Sequence, residues 1–270
     1  MSDPASILTA AFLLAIIIYV AIQYWLARRQ IRYVAAHRGE VPARFADRVS
    51  LAAHQKAADY TVARTRLGMV DTWVGVVVLL GLTLGGGLAA LSAWSESFAI
   101  PELWRDVVLV VAVVVVTGIL ELPLTWYRTF VIEQRYGFNR MTLGLWLADL
   151  AKGALIGAAL GIPLLTLVLW LMARAGSLWW IYAWIAWIAF QLLMLVLYPT
   201  VIAPLFNKFE PLTDVSVKER VERLLARCGF AAKGFFVMDG SRRSSHGNAY
   251  FTGFGAARRI VFFDTLLSRL

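Results

Sequence analysis

Ala5-Ser-Ile-Leu-Thr-Ala-Ala-Phe-Leu-Leu-Ala-Ile-Ile-Ile-Tyr-Val-Ala-Ile-Gln-Tyr-Trp-Leu-Ala27 carries no charge. A helix of about 20 apolar residues crosses the ~30 Å hydrocarbon core of a bilayer, and this run is long enough. A cleaved signal peptide is the rival reading. No basic segment precedes the run and no small-residue cleavage site follows it, so it reads as a membrane span. The whole chain agrees: 60% of its 270 residues are hydrophobic, against about half in a soluble domain.

Working outward from that run, four more apolar stretches follow, at about 70–93, 107–126, 154–173 and 178–202. Val108-Leu-Val-Val-Ala-Val-Val-Val-Val116 is nearly all β-branched, yet its length and flanks favour a membrane helix. Gly85-Gly-Gly87, with Gly81 one turn earlier, marks close packing or a local break in the second span. Pro163 marks a kink in the fourth. Trp179, Trp180, Trp184 and Trp187 place one end of the fifth at an interface, where indole rings settle.

The net charge of +9 comes from 26 Lys+Arg against 17 Asp+Glu, and its placement orients the spans. Residues 28–68 hold nine Lys/Arg and three acids, and Tyr127–Thr142 carries Arg128, Arg135 and Arg140. Basic loops face the cytoplasm. The loop from Ser95 to Asp106 is acidic and faces outside, as does the N-terminus; Arg174 is the exception. No basic stretch is interleaved with aromatics, which argues against nucleic acid. Asp71 falls at the cytoplasmic end of the second span. Glu121 lies inside the third, close to Pro123, where an ionisable group is a candidate for lining a wet cavity. His37 and His54, 17 residues apart, read as surface histidines. Few buried charges and no repeated halves make a transporter the weaker reading.

Residues 1–203 are therefore the transmembrane domain, and 204–270 begin a cytoplasmic α+β domain. Ser216-Val-Lys-Glu219 has the form of a capping box. Val217, Val221, Leu224, Leu225 and Cys228 follow at helical spacing, and Gly229 supplies a left-handed stop. The single cysteine reads as a packed thiol on that stripe and excludes an internal disulfide. Phe235-Phe-Val-Met238 reads as a strand and Asp239-Gly240 as a turn. Asn248, Tyr250 and Thr252 alternate with Ala249 and Phe251, the period of a two-faced strand. Gly253 and Gly255 break it, and Ile260-Val-Phe-Phe263 is its hairpin partner. Such a hairpin keeps one edge free to accept an extended peptide. No P-loop, dinucleotide fingerprint or G-x-S-x-G is present.

Four of these stretches, in order, resemble the membrane-integral CAAX prenyl protease type I family. Phe130, Glu133, Gly137, Phe138 and Asn139 match its Phe-x-x-Glu…Gly-Phe-Asn segment. Pro204-Leu-Phe-Asn-Lys-Phe-Glu-Pro-Leu212 matches the run after its fifth span. Asn248-Ala-Tyr-Phe-Thr-Gly253 and Val261-Phe-Phe-Asp-Thr-Leu-Leu267 match the segments leading to its zinc helix. The resemblance implies a polytopic all-α membrane protein with five spans here, enclosing a wet chamber onto which Glu121 faces. It implies a zinc metalloendopeptidase that cuts peptides or proteins near their C-termini at the cytoplasmic face, with zinc as cofactor and the lipid bilayer as surroundings. Prenylated proteins and membrane proteins marked for turnover stand equally as substrates.

In that family two His of H-E-x-x-H and a later Glu bind the zinc, and the motif's Glu is the general base. None of these lies in the present 270 residues. His246, in the Ser245-His-Gly turn, reads as a hydrogen-bonding or solvated side chain. This chain is thus assigned no catalytic residue and no metal ligand, and its partner is the C-terminal part of the same protein, expected beyond Leu270. An inactive or split homologue, a membrane scaffold that binds extended peptides, is the alternative. Substrate handling falls, by resemblance, to Asn248, Ala249, Tyr250 and Phe251. The Asn248 side chain either fixes the turn or meets the substrate backbone.

Overall fold

A computed structural model describes residues 3–230, 234–253 and 258–269. The chain divides into two compact units, Met1–Ala99 with Leu109–Gly137, and Ile100–Val108 with Phe138–Leu270. Five helical stretches are long and apolar enough to cross a membrane, and at most 11% of any apolar window is buried in protein. Their side chains therefore need lipid as solvent, and the chain is a multi-pass membrane protein.

In the first unit, helix α1 spans Pro4–Ala36 and α2 spans Leu51–Thr83. Asp3 caps α1, and the Ser50 hydroxyl caps α2 by accepting from the Ala53 N–H. Tyr24 ties the two helices together, its hydroxyl donating to the Met69 carbonyl (3.3 Å) and its ring meeting Trp73 edge-on. At the turn between them His54 donates to the His37 carbonyl (2.8 Å), and Arg38 forks onto Asp59. The apolar stretch 70–93 is shared between two helices, because α2 stops at Thr83 and α3 (Gly87–Glu96) begins after Gly86. Gly86 has φ +78°, and a Cβ on Gly85 would sit 2.7 Å from the Gly81 carbonyl oxygen. Only glycine fits this turn, so the triplet makes a local break. Asp71, at the start of that apolar stretch, lies well inside α2 because the helix already begins at Leu51.

Helix α4 (Glu102–Tyr127) contains Pro123 and passes into a π-helical turn, Arg128–Glu133. Proline leaves a carbonyl one turn back without its partner, and wider turns of this kind accommodate such a mismatch.

In the second unit, α5 (Leu143–Arg174) starts from Thr142, whose hydroxyl accepts from the Leu145 N–H. Just before it, Asn139 Oδ1 accepts from the Met141 N–H (2.8 Å) and shapes the turn. Pro163 lies within α5 without ending it. Helix α6 (Trp179–Leu197) leads through a second π-helical turn, Tyr198–Ile202, into the short α7, Ala203–Phe206.

Strands β1 (Phe209–Pro211), β2 (Gly234–Met238), β3 (Ala249–Thr252) and β4 (Arg259–Phe263) form one sheet in the order β1-β2-β4-β3. β1 and β3 are antiparallel to their neighbours, and β2 runs parallel to β4. β4 is central, and its apolar run buries Ile260, Val261 and Phe262, with Val261 only 1% exposed. β1 was not foreseen, since three residues ending in proline carry no period.

Helix α8 (Val215–Arg227) is capped by Asp214, which accepts from the Val217 N–H (3.0 Å). The expected Ser216–Glu219 capping box does not form, because an acceptor two residues earlier starts the helix sooner. At its other end Gly229 has φ +66°, with Phe230 N–H bonded to the Leu225 carbonyl and Gly229 N–H to that of Ala226, a Schellman stop. Cys228 occupies the C-cap and is exposed. The packed thiol is thus corrected: the helix ends before its stripe reaches Cys228. Gly255 lies outside the described residues.

Candidate functional site

The alternating segment forms the edge of the sheet. Ala249 pairs with Phe262, Tyr250 with Val261, Phe251 with Ile260 and Thr252 with Arg259. Among the described residues β3 has no strand on its other side. Phe263 donates its N–H to the Asn248 carbonyl (2.9 Å). In an antiparallel ladder hydrogen-bonded pairs alternate with unbonded ones. Asn248, Tyr250 and Thr252 therefore turn their backbone groups toward β4, and Ala249 and Phe251 turn theirs to the open edge.

Asn248 has a defined position at this edge. Its Oδ1 accepts from the outward N–H of Ala249 (2.9 Å). The side chain thereby occupies one edge donor and leaves the Phe251 N–H as the next.

The two ring residues diverge as alternation requires. Tyr250 is half-buried, packs edge-on to Phe263 and points its hydroxyl toward the Met238 sulfur (4.0 Å). Burial first, then the nearby Tyr198, holds its phenol above the usual tyrosine range, with Arg259 opposing. Phe251 is 64% exposed and meets Phe230 edge-on. A cavity of about 380 Å³ opens beside the strand, lined by Ala249, Tyr250, Phe251, Leu224, Leu225 and Ile260 among others. This lining suits an apolar side chain.

The lead-in to β3 is held by side chains remote in sequence. Arg243 donates from Nε to Asp149 Oδ2 (2.7 Å) and from Nη2 to Asp149 Oδ1 (2.9 Å). It also donates to Asn207 Oδ1 and to the Phe206 carbonyl, both at 2.8 Å. Lys152, one turn beyond Asp149, donates to the Leu205 carbonyl (2.9 Å). Main-chain bonds run alongside, from Arg140 N–H to the Arg243 carbonyl and from Ser245 N–H to the Phe138 carbonyl. The His246 ring stacks on Phe138 with centroids 4.1 Å apart. Asp264 accepts from the Ser241 amide and hydroxyl, and Thr265 donates to the His246 carbonyl. The matched residues Phe138, Asn139, Asn207 and Asp264 thus gather around one turn. Sequence reading missed Arg243, Asp149 and Lys152. The available signal was a pair of charges, three residues apart, just before the uncharged run from Gly153 to Ala173 of helix α5.

In the first unit, Glu133 accepts from the Tyr60 hydroxyl (2.6 Å). Glu121 lines a cavity of about 520 Å³ together with Asp71, Thr72 and Tyr19. Among the described residues no three His, Cys, Asp or Glu side chains lie close enough to share a metal ion. The described residues therefore hold no donor set that fits a zinc centre.

Comparison with known proteins bears on this arrangement. A family model described as CAAX prenyl protease N-terminal, five membrane helices, matches residues 30–208, and that of peptidase family M48 matches 211–270. The CAAX prenyl protease 1 homolog of Caenorhabditis elegans is 36% identical over 80% of this chain and 48% of its own length. The probable CAAX prenyl protease 1 of Schizosaccharomyces pombe is 33% identical over 90% of this chain and 54% of its own. The crystal structure of S. mikatae Ste24p superposes with a TM-score of 0.84 at 28% identity, over 99% of this chain and 62% of that one. The chain spans about half the length of these two curated relatives.

Proposed function

The chain belongs to the CAAX prenyl protease family of M48 metallopeptidases, and from that premise we propose that it supplies the membrane domain and substrate edge of a membrane-embedded zinc metalloendopeptidase. In this reading residues 1–203 form the membrane domain and 204–270 the first portion of the peptidase domain. The enzyme cuts peptides or proteins near their C-termini at the cytoplasmic face, prenylated substrates included. Basic residues in 28–68 and 127–142 support that orientation. Zinc and its ligands come from outside these residues, so no chemical step is assigned to them.

The observation that carries the reading is the free edge of β3. A substrate in extended form adds there as a further strand, bonding to the outward Ala249 carbonyl and to the outward N–H and carbonyl of Phe251. Asn248 occupies the Ala249 N–H, and the cavity beside Tyr250 and Phe251 takes an apolar substrate side chain. Alternate residues of an added strand face one way, so specificity falls on every second position.

Phe251→Pro tests the edge. It deletes one outward donor and leaves the bonds to β4 intact, since proline is tolerated at such edge positions. The native protein, purified from its source membranes, is assayed for zinc and for chelator-sensitive cleavage of a farnesylated C-a-a-X peptide. The expected result is cleavage by wild type and a loss of roughly tenfold or more in the variant, as for one missing backbone hydrogen bond to substrate, with unfolding unchanged. No cleavage by the wild-type protein, or full activity in the variant, overturns the reading.

A further inference from the structure

We propose that the Arg243–Asp149 pair is a gauge that fixes how far from the bilayer the β3 edge receives its peptide, making Arg243 a positioning residue that sets substrate spacing. This rests on the reading of β3 as the substrate edge.

The ladder alone cannot set that distance. Pairing with β4 fixes β3 within its sheet but does not relate the sheet to the membrane. Helix α5 does have a depth: from Gly153 to Ala173 it carries no charge, and Asp149 and Lys152 stand just before that run. Charges in this position mark the interface. Arg243 grips Asp149 with both arms of its fork and, with the same group, the Phe206 carbonyl and Asn207. It thus joins the entry of one membrane helix to the exit following another.

Five residues lie between Arg243 and Ala249, and this lead-in has little slack. Ser244 bridges to Asn139, Ser245 N–H donates to Phe138, and the Ser245 and His246 carbonyls accept from Arg269 and Thr265. The guanidinium is about one-fifth exposed, as is its aspartate partner, so water competes weakly for the pair. An added strand advances about 3.3 Å per residue. A substrate held in the bilayer by a lipid chain therefore reaches β3 with a set number of residues between its anchor and the edge.

The test uses the 270-residue chain in phosphatidylcholine nanodiscs. The probes are peptides with one palmitoyl chain and a benzoylphenylalanine at successive distances from it, and photocapture on residues 248–253 is read by mass spectrometry. Wild type is expected to capture one spacing roughly tenfold better than its neighbours, the ratio given by a modest strain difference. Arg243→Gln and Asp149→Asn are expected to flatten that profile to within about twofold while total capture and helix content hold, and Arg243→Lys to restore part of it. A sharp profile in both variants, or a loss equal at every spacing, overturns the gauge. No capture on β3 by wild type at any spacing overturns instead the reading of β3 as a substrate edge, and the gauge falls with it.

Discussion

Among the described residues two arginine–aspartate forks occur, and they share their geometry but not their surroundings. Arg38 meets both oxygens of Asp59 at 2.8 and 2.9 Å, and Arg243 meets both oxygens of Asp149 at 2.7 and 2.9 Å. The first pair is 45% exposed on each side, whereas the second is 19% and 17% exposed. Among the described residues Arg38 meets no acceptor beyond Asp59, whereas Arg243 meets two more, on a different segment. Distances alone rank the pairs as equals. Desolvation and the number of joined segments separate them, because removing one member of a shielded pair strands the other, while water replaces a lost partner at the surface.

Substitutions can break this contrast. The largest effect is expected from Arg243→Ala, at about 2 kcal/mol, below the ~3–5 of a fully buried pair because both side chains keep some water. Denaturant unfolding in detergent measures it, and a loss below about 0.5 kcal/mol would put this fork in the surface class. Asp149→Asn keeps the shape and one acceptor, so about 1 kcal/mol is expected on the same measurement. Hydrogen exchange at 244–252 should rise in both variants, and unchanged exchange would mean that the fork does not hold the lead-in.

The next effect is alkaline. Burial holds the Tyr250 phenol above its ordinary pKa, so folding favours the protonated form. That contribution is fully present below the unfolded tyrosine pKa of about 10 and is lost as pH rises through the higher folded value. Wild type should lose sheet protection above that point, and Tyr250→Phe should remove this part of the loss. The smallest effect is expected from Arg38→Ala. Asp59, by hydrogen bond and then by charge, raises the Arg38 pKa, but at this exposed site the unfolding midpoint should stay within measurement scatter. A clear shift would show that an exposed fork can be structural too.

The same contrast of local and remote causes separates what could be read along the chain from what could not. The β3–β4 hairpin was legible from alternation in one strand and an unbroken apolar run in the other, because edge and centre impose different burial. The Gly229 stop was legible because its motif is local. The start of α8 was misplaced by the choice between two nearby caps, Asp214 and Ser216, that differ little in propensity. Helices α1, α2 and α5 extend past their apolar runs because backbone hydrogen bonding continues where lipid ends. The grip of Arg243 on Asp149, 94 residues apart, leaves no local mark.

The sequence by itself determined that this is a multi-pass membrane protein and that an edge-forming hairpin follows the fifth span. Both are set by short-range facts: twenty-odd uncharged residues must leave water, and a period of two must present two faces. Only the tertiary structure decided that Asn248 occupies its own strand's edge donor, that Asp71 and Glu121 line one cavity, and that Arg243 ties the edge strand to a membrane helix. These depend on which distant groups meet once the chain is packed, and on how much water is left around them.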